Sequence, residues 1–414
     1  MPSSANTARR GRRRLRLSGA AALVCALLDL SGCGAAPDAI KTGARARPGT
    51  PLIAVFPVEN LSGTRAPLAD VRRLLIERSR AHGLDVLDDA ALESVVTKHR
   101  VRYTAGVEQG FARALRRETG AEGILIPSLE LYDDASPPRV ALFARLVSTG
   151  DAPAVRWIDG TGAAGDDSPG ILGIGLIEDP HALLARAVDA LAASLARHAS
   201  EAGGRAGDGP GARKFGPKIV YRSDALDPAR THSVAVVPFF NKSARKYAGE
   251  IIALHMIRNL MAFPGLEVVE PGIVREELLR FRIIMTDGIS LPETETVLNA
   301  VNADLVLNGE VLEYQDPRGP YGAPQVDFGV LFIERKTRRV VYSSYSHNAG
   351  DDGVFFFDWG RVNTAHAMAS QMARAIGQRM LLAPPTAGAS RGAAGQENRR
   401  RMPPREAGGR EEQK

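Results

Sequence analysis

The 414-residue chain has only two cysteines, Cys25 and Cys33, and both lie within its first 33 residues. The rest of the chain therefore has neither a disulfide bond nor a thiolate metal site. Its domains must be stabilised by their hydrophobic cores, and each is long enough to bury one.

The chain also lacks motifs that carry familiar chemistry. None of its eight histidines is spaced His-x-x-x-His with another, and no phosphate-binding loop ends in Gly-Lys-Ser or Gly-Lys-Thr. No nucleophile stands beside an evident general base in any short motif. We therefore expect no bound metal, no cofactor and no enzymatic activity.

Excess charge is missing as well, once the first 32 residues are set aside. The whole chain has 53 Lys and Arg against 47 Asp and Glu, but residues 1–32 hold six arginines and one aspartate. The remainder has 47 basic and 46 acidic residues. A nucleic-acid partner is not expected, because it would require a basic stripe on the folded domain.

Residues 1–32 have the pattern of an export signal. Six arginines lie between Arg9 and Arg16, an apolar run covers residues 17–28, and small residues precede Cys33. The apolar run is too short for a membrane-spanning helix, so a cleaved signal is predicted.

The segment LSGC at residues 30–33 resembles a lipobox. The resemblance implies a diacylglycerol on the Cys33 thiol, cleavage before Cys33, and acylation of the new amino terminus, for example with palmitate. Several acyl chains together give stable membrane anchoring. Gly34 stands where many inner-membrane lipoproteins have aspartate, so we expect the periplasmic face of the outer membrane rather than the inner membrane. An ordinary cleaved signal with an incidental cysteine is the alternative.

A long stretch of the chain occurs twice. IAVFPVEN at residues 53–60 returns as VAVVPFFN 181 positions later, and GLDVLD at residues 83–88 returns as GLEVVE 182 positions later. Tyr132 and Tyr314 also differ by 182, and His181 and His366 by 185. An offset that drifts so little indicates two tandem copies of one domain.

Each copy has the same predicted order of elements. Short apolar runs at residues 53–58 and 234–240 predict buried strands, each followed by a helix with apolar residues three or four positions apart. Longer strands at residues 123–132 and 305–314, further adjacent strands and a final helix complete each copy. The fold class predicted is α/β, with two tandem copies of one α/β sandwich domain whose mixed sheet is covered by helices.

Composition suggests the boundaries between these parts. Residues 200–217 are rich in glycine, and residues 384–414 lack aromatics and carry seven basic against four acidic residues. We predict a lipoprotein signal peptide at residues 1–32, a tether at 33–50, the first α/β repeat at 51–199, a linker at 200–231, the second α/β repeat at 232–383 and a disordered basic tail at 384–414.

The segments AVFPVENLS at residues 54–62 and AVVPFFNKS at residues 235–243 resemble the pattern A-V-x-P-F-x-N-x-S of a group of cell-envelope domains. The helix and the G-x-x-V segment that follow each of them resemble the same group. The group includes the curli secretion lipoprotein, the amino-terminal domain of the Tol propeller protein and the lipoprotein activators of penicillin-binding proteins. The resemblance implies an envelope location and protein–protein contact on a shared scaffold, whereas the partners differ within the group.

An aromatic segment, VFFFDW at residues 354–359, is the sharpest chemical feature of the second copy. Phe355, Phe356, Phe357 and Trp359 are candidate partner-binding residues, because such side chains anchor interfaces and an apolar edge can accept a strand. An apolar arm folded over its own sheet is the alternative.

Two other features recur in both copies. His181 and His366 each stand near the start of the last helix, where we expect an imidazole bonded to nearby backbone, with proton transfer or partner contact as the alternative. Asp166-Asp167 and Asp351-Asp352 lie in loops. We expect these carboxylates to be solvated, with cation binding as the alternative.

The sequence therefore favours a non-enzymatic, periplasm-facing lipoprotein that binds another envelope protein or associates with itself. A subunit of a curli-type secretion or surface-assembly complex is the second hypothesis. A small-ligand or metal-binding envelope protein is the third.

Overall fold

The structure, a computed structural model, describes residues 50–167, 175–200, 215–227, 229–283, 290–317, 322–354 and 361–381. All of them belong to one compact unit, residues 46–414. Cys33, the aromatic residues Phe355, Phe356, Phe357 and Trp359, and the predicted basic tail lie outside the described residues.

The first repeat has one mixed sheet and four helices. Its strands are β1 (Leu52–Val55), β2 (Glu59–Asn60), β3 (Asp85–Val86), β4 (Gly123–Asp133), β5 (Arg139–Ser148) and β6 (Val155–Ala164). Its helices are α1 (Leu68–Ala81), α2 (Asp89–Lys98), α3 (Gln109–Thr119) and α4 (Pro180–Ser200). The strand order is β3-β1-β4-β5-β6, with β2 added beside β4. β1 runs parallel to β3 and β4, and β4, β5 and β6 are antiparallel.

The second repeat has the same topology with one additional strand. Its strands are β7 (Ile219–Arg222), β8 (His232–Val236), β9 (Phe240–Asn241), β10 (Leu266–Val268), β11 (Leu305–Gln315), β12 (Gln325–Glu334) and β13 (Val340–Ala349). Its helices are α5 (Ala248–Leu260), α6 (Pro271–Arg280), α7 (Leu291–Ala300) and α8 (Ala365–Leu381). The strand order is β10-β8-β11-β12-β13-β7, with β9 beside β11.

The predicted fold class is confirmed, because both sheets are mixed and both are packed with helices. In the first repeat, α1 and α4 pack on one face of the sheet and bury Val71, Leu75 and Leu191 against it. The apolar faces of α2 and α3 pack on the other face of the sheet. In the second repeat, α5 and α8 pack on one face, and α6 and α7 cover part of the other. None of the helices in the described ranges combines the length and apolar character needed to cross a membrane.

Local sequence signals define several of the helix ends. The Asp88 side chain accepts a hydrogen bond from the Ala90 N–H at the start of α2, and Ser290 and Glu293 form a capping box at the start of α7. Gly120 ends α3 in the left-handed conformation at φ 76°, which glycine adopts at little cost. These residues fix the starts of α2 and α7 and the end of α3.

Strand β7 lies within the segment predicted as a linker. It follows the glycine-rich residues and pairs with β13, so that it forms the outer edge of the second sheet. A four-residue strand with one buried side chain has too little apolar alternation to be recognised from sequence.

The two repeats pack against each other through different surfaces. One isolated antiparallel bridge joins Ala154, before β6, to Val269, after β10. Helix α5 has eleven of its 13 residues buried, whereas its counterpart α1 has four of 14 buried. The additional burial arises because α5 and α8 also contact β6 of the first repeat. The first repeat thus contributes a sheet face to the interface, and the second contributes a helical face.

Candidate functional site

Four polar side chains meet in the interface between the repeats, and we call them the Glu130 cluster: Glu130, His255, Tyr314 and His366. Glu130 comes from β4 of the first repeat, and the other three come from α5, β11 and α8 of the second. Each of the four residues is at most 3% exposed. The cluster therefore exists only when the two repeats are packed together.

Glu130 is the centre of the cluster. Its Oε2 atom lies 2.5 Å from Nδ1 of His366 and 3.8 Å from Nε2 of His255. The Tyr314 hydroxyl donates a hydrogen bond to Oε1, the other carboxylate oxygen. Within the described part of the chain, neither ring nitrogen of His255 has a hydrogen-bond partner.

A β-bulge directs Glu130 into the interface. The pairing of β4 with β5 shifts between Leu129 and Leu131, so Glu130 is the extra residue. Such a bulge redirects a side chain out of the regular alternation of a strand. The second sheet has the same irregularity between Val311 and Glu313. The residue at that bulge is Leu312, so the second repeat has leucine where the first has Glu130.

Two glycines make room for the His366 ring. A Cβ atom on Gly162 would lie 2.8 Å from Cδ2 of His366, and one on Gly160 would lie 2.5 Å from the Phe143 ring. A larger residue at either of these two positions would therefore clash with a buried ring. The absence of side chains at both positions lets α8 approach the first repeat closely.

An aromatic wall closes the cluster on one side. The Phe143 ring centroid lies 4.8 Å from that of His255 and 4.9 Å from that of His366, and the two imidazole centroids are 4.7 Å apart. An apolar wall around a charged group strengthens the electrostatic interactions within it.

The environment sets the charge of each group in the cluster. Burial alone would raise the pKa of Glu130, but the positive charge and hydrogen bond of His366, together with the Tyr314 hydroxyl, hold that pKa below its usual range. Burial, with the nearby His366 charge, places the pKa of His255 well below its ordinary value. Burial and the Glu130 charge raise the pKa of Tyr314 well above its ordinary value. At neutral pH, Glu130 is therefore a carboxylate, His255 a neutral imidazole and Tyr314 a neutral phenol.

Further charged side chains cross the interface around the cluster. Arg258 Nε lies 2.8 Å from Asp159 Oδ1, and Arg245 Nη2 donates to the Glu130 carbonyl oxygen. Arg139 Nη1 donates to the Pro317 carbonyl oxygen at 2.7 Å. These polar contacts lie beside apolar ones, because Phe143, Val155 and Ile158 of the first repeat pack into the hydrophobic core of the second.

An open cleft of about 800 Å³ lies along the seam between the repeats. Residues of β6, β10 and the end of α5 line it, including Trp157 and Arg258. None of the four residues of the Glu130 cluster lines it, and among the described residues it is open to a small molecule.

The histidines repeated in sequence have different environments. His366 is buried and bonded to Glu130, so the predicted bond to nearby backbone is wrong for this residue. His181 is exposed, and its backbone N–H donates to the Asp179 side chain. The two histidines recur because both repeats share the start of this helix. Of the two, His366 belongs to the Glu130 cluster and His181 does not.

The repeated aspartates form turns. Asp167 accepts a hydrogen bond from the Ala164 N–H at 2.7 Å, and Asp352 accepts one from the Ala349 N–H at 3.0 Å. Among the described residues, neither pair belongs to a group of three side chains that could hold a metal ion, whereas Glu130, His255 and His366 do.

Sequence reasoning did not identify Glu130, His255 or Tyr314 as site residues. The available signals were a glutamate inside an apolar strand, ILIPSLELY, and a histidine inside an apolar helix, IIALHMI. A charged or polar residue in a segment that is otherwise buried usually has a specific partner. Neither residue recurs in the other copy, so the comparison of the repeats gave no indication of them.

No protein-family model matches the chain, and no curated protein sequence matches it. Among solved structures, it is similar to the PelC dodecamer from Paraburkholderia phytofirmans, at 19% identity over 40% of this chain and 94% of that chain, with a TM-score of 0.28. It is also similar to lipoprotein GNA1162 from Neisseria meningitidis, at 17% identity over 36% and 99% of the two chains, with a TM-score of 0.25. The LpoB C-terminal domain from Salmonella enterica is 14% identical over 30% and 87%, with a TM-score of 0.24.

Proposed function

We propose that the chain is a non-enzymatic, periplasm-facing lipoprotein that acts as a protein-binding or assembly module of the cell envelope. One observation carries the proposal: the two repeats share a fold but contact each other through different surfaces. A contact of this heterologous kind leaves one copy of each surface unused at the two ends of the pair. Within the described part of the chain, the other repeat covers neither of these two surfaces, and partners would bind there.

The first unused surface is the outer side of α1 and α4. Its counterpart in the second repeat, the outer side of α5 and α8, is covered by the first repeat. The second unused surface is the face of the second sheet that points away from α5. Asp327 lies on that face, because it alternates with Val326 and Phe328 in the core, and the Tyr345 hydroxyl bonds to it at 2.8 Å.

Edge strand β7 adds an apolar border to the second surface. Its Ile219 and Tyr221 side chains are 66% and 47% exposed, although both are large and hydrophobic. An exposed sheet edge with such side chains is suited to accept a strand from a partner. The aromatic residues Phe355, Phe356, Phe357 and Trp359 remain proposed partner contacts on the same repeat.

Site-specific photo-crosslinking in living cells tests the binding proposal. A photoreactive residue at Tyr221 should give a discrete adduct with one envelope protein or with a second copy of the chain. The matched control is Leu279, which is 58% exposed but lies on α6, away from β7. The same adducts from both positions, or none from Tyr221, would contradict a docking role for β7.

Attachment through Cys33 to the periplasmic face of the outer membrane completes the proposal. A Cys33→Ser variant should stay unlipidated and should leave the membrane fraction. Membrane association that is undiminished in this variant would show that the anchor lies elsewhere.

A second candidate function is that of a subunit in a surface-assembly or secretion complex. The heterologous contact favours it, because such contacts propagate into rings or filaments when further copies add. The mass of the detergent-extracted protein distinguishes the two functions. A large closed ring supports the assembly subunit, and a monomer or dimer supports the binding module.

A further inference from the structure

We infer that Glu130, His255 and His366 form a divalent metal site of the zinc type, which fastens the two repeats together. This inference is independent of the proposed binding function, because it concerns the interior of the interface. It rests on the chemistry of the three side chains, on their spacing and on the unpartnered state of His255.

The donor set is of the kind that zinc prefers. Two imidazole nitrogens and one carboxylate oxygen are common zinc ligands, whereas magnesium and calcium require sets made of oxygen alone. The three ligand atoms lie within 4.8 Å of one another. They come from two repeats and three elements, so no short sequence motif joins them.

The spacing of the ligand atoms fits a metal with little movement. With zinc–nitrogen distances of about 2.0–2.1 Å, tetrahedral ligands lie about 3.4 Å apart. In the structure, Glu130 Oε2 is 2.5 Å from His366 Nδ1 and 3.8 Å from His255 Nε2. These two distances bracket the tetrahedral value, and all three ligand atoms lie within 4.8 Å of one another.

The surroundings of His255 also favour a bound metal ion. Its side chain is fully buried, and in the described residues neither of its ring nitrogens has a hydrogen-bond partner. A buried polar side chain without a hydrogen-bond partner lowers the stability of the fold, and native proteins rarely retain one without a function. Its Nε2 atom lies 3.8 Å from the Glu130 carboxylate, a separation that a shared cation would bridge.

Tyr314 orients the carboxylate for this role. Its hydroxyl donates to Oε1, and this leaves Oε2 directed towards the two imidazoles. Hydrogen bonds of this kind to a ligating carboxylate are typical around protein metal sites, and their loss weakens metal affinity by about 10–100-fold. At this site, Tyr314 is a positioning residue and not a ligand.

The experiment uses the full-length protein extracted in detergent, stripped with a chelator and titrated with Zn²⁺. We expect one Zn²⁺ per chain at saturation and a rise in Tm on binding. Tyr314→Phe should weaken binding by about 10–100-fold, and His255→Gln and Glu130→Gln, which each remove a ligand, should weaken it more. His181→Gln is the matched control, because His181 is the exposed counterpart of His366, and it should bind Zn²⁺ as the unaltered protein does.

Two results would overturn the inference. One is the absence of saturable Zn²⁺ binding, and the other is undiminished binding by His255→Gln. If the variants fail to fold, Co²⁺ bound to the unaltered protein decides instead. An intense visible spectrum typical of tetrahedral nitrogen and oxygen ligands supports the site, and a weak octahedral spectrum contradicts it.

Discussion

Arg145 of the first repeat and Glu270 of the second form an ion pair buried between the repeats. Arg145 Nε lies 3.6 Å from Glu270 Oε2, and the two side chains are 3% and 0% exposed. The other carboxylate oxygen accepts hydrogen bonds from the backbone N–H of Val107 at 3.1 Å and of Gly272 at 3.2 Å. Burial raises the pKa of Glu270, and the Arg145 charge opposes that rise. The Glu270 carboxylate of the second repeat is thus bound by Arg145 and Val107 of the first repeat and by Gly272 of its own.

Arg145→Met should destabilise the protein by about 3–5 kcal/mol, because it leaves the Glu270 charge buried without its partner. The double variant Arg145→Met/Glu270→Gln should recover part of this loss, since the amide oxygen can still accept the two N–H groups. Urea unfolding measures the free energy of unfolding of both variants. As a control, Arg73→Met removes two exposed ion pairs, with Asp70 and with Glu77, and should leave the unfolding midpoint nearly unchanged. A double variant no more stable than Arg145→Met would contradict the explanation.

Gly162→Ala should cost about 1–3 kcal/mol of stability, because the new Cβ would lie 2.8 Å from the buried His366 ring. Gly110→Ala on α3 is the matched control, since no atom lies within 4 Å of a Cβ at that position. It should be neutral or slightly stabilising, as alanine favours helix. Thermal unfolding compares the two. Equal effects of the two substitutions would be inconsistent with a close approach of His366 to β6.

Tyr314→Phe should lower the free energy of unfolding by about 1.5–3 kcal/mol in the presence of a chelator. The loss is expected because a hydrogen bond to the buried Glu130 carboxylate disappears. Tyr132→Phe is the control, since Tyr132 is the counterpart in the first repeat and is partly exposed to water. An equal loss from both substitutions would argue against the hydrogen bond to Glu130.

Asp316 should make the protein less stable as the pH rises. Burial, with a smaller contribution from the Glu130 charge, raises its pKa from 3.8 to about 6, so the folded state disfavours the ionised form. The stability attributable to this group is complete below pH 4 and is lost as the pH rises to about 6.

Asp316→Asn should therefore be more stable than the unaltered protein at pH 7, by up to about 3 kcal/mol, and equally stable at pH 4. The amide can still accept the hydrogen bond from the Ala365 N–H at the start of α8. Urea unfolding at both pH values gives the difference. An advantage of the variant that is the same at pH 4 and pH 7 would refute this assignment.

The sequence was sufficient to predict both sheets, apart from edge strand β7, because the repeats support each other. The strand at residues 53–58 and its copy at 234–240 have the same apolar pattern, and the structure has β1 and β8 there. Each sheet is also local to its repeat, so patterns of apolar residues determine it. Pro57 and Pro238 follow shortly after the last residues of β1 and β8, where a missing N–H donor is tolerated.

The site could not be predicted because it depends on the packing between repeats. Glu130 and His366 are 236 positions apart, and no periodicity within either repeat brings them together. The comparison of the repeats gave no indication of the site, since Glu130 corresponds to Leu312 at the matching bulge. The cluster arises where the two copies differ, whereas the sequence comparison detected what they share.

Disulfide crosslinking across the seam tests the central claim most directly, namely that the two repeats pack through these two surfaces. Ala154 and Val269 are bridge partners, and such partners lie close enough for a disulfide. Ala154→Cys/Val269→Cys in the full chain should crosslink almost completely under mild oxidation, as seen by gel mobility without reductant. The control Ala154→Cys/Leu87→Cys, which uses the counterpart of Val269 in the first repeat, should not. Equal crosslinking of both pairs, or none of the first, would contradict the packing on which the site and the proposed function depend.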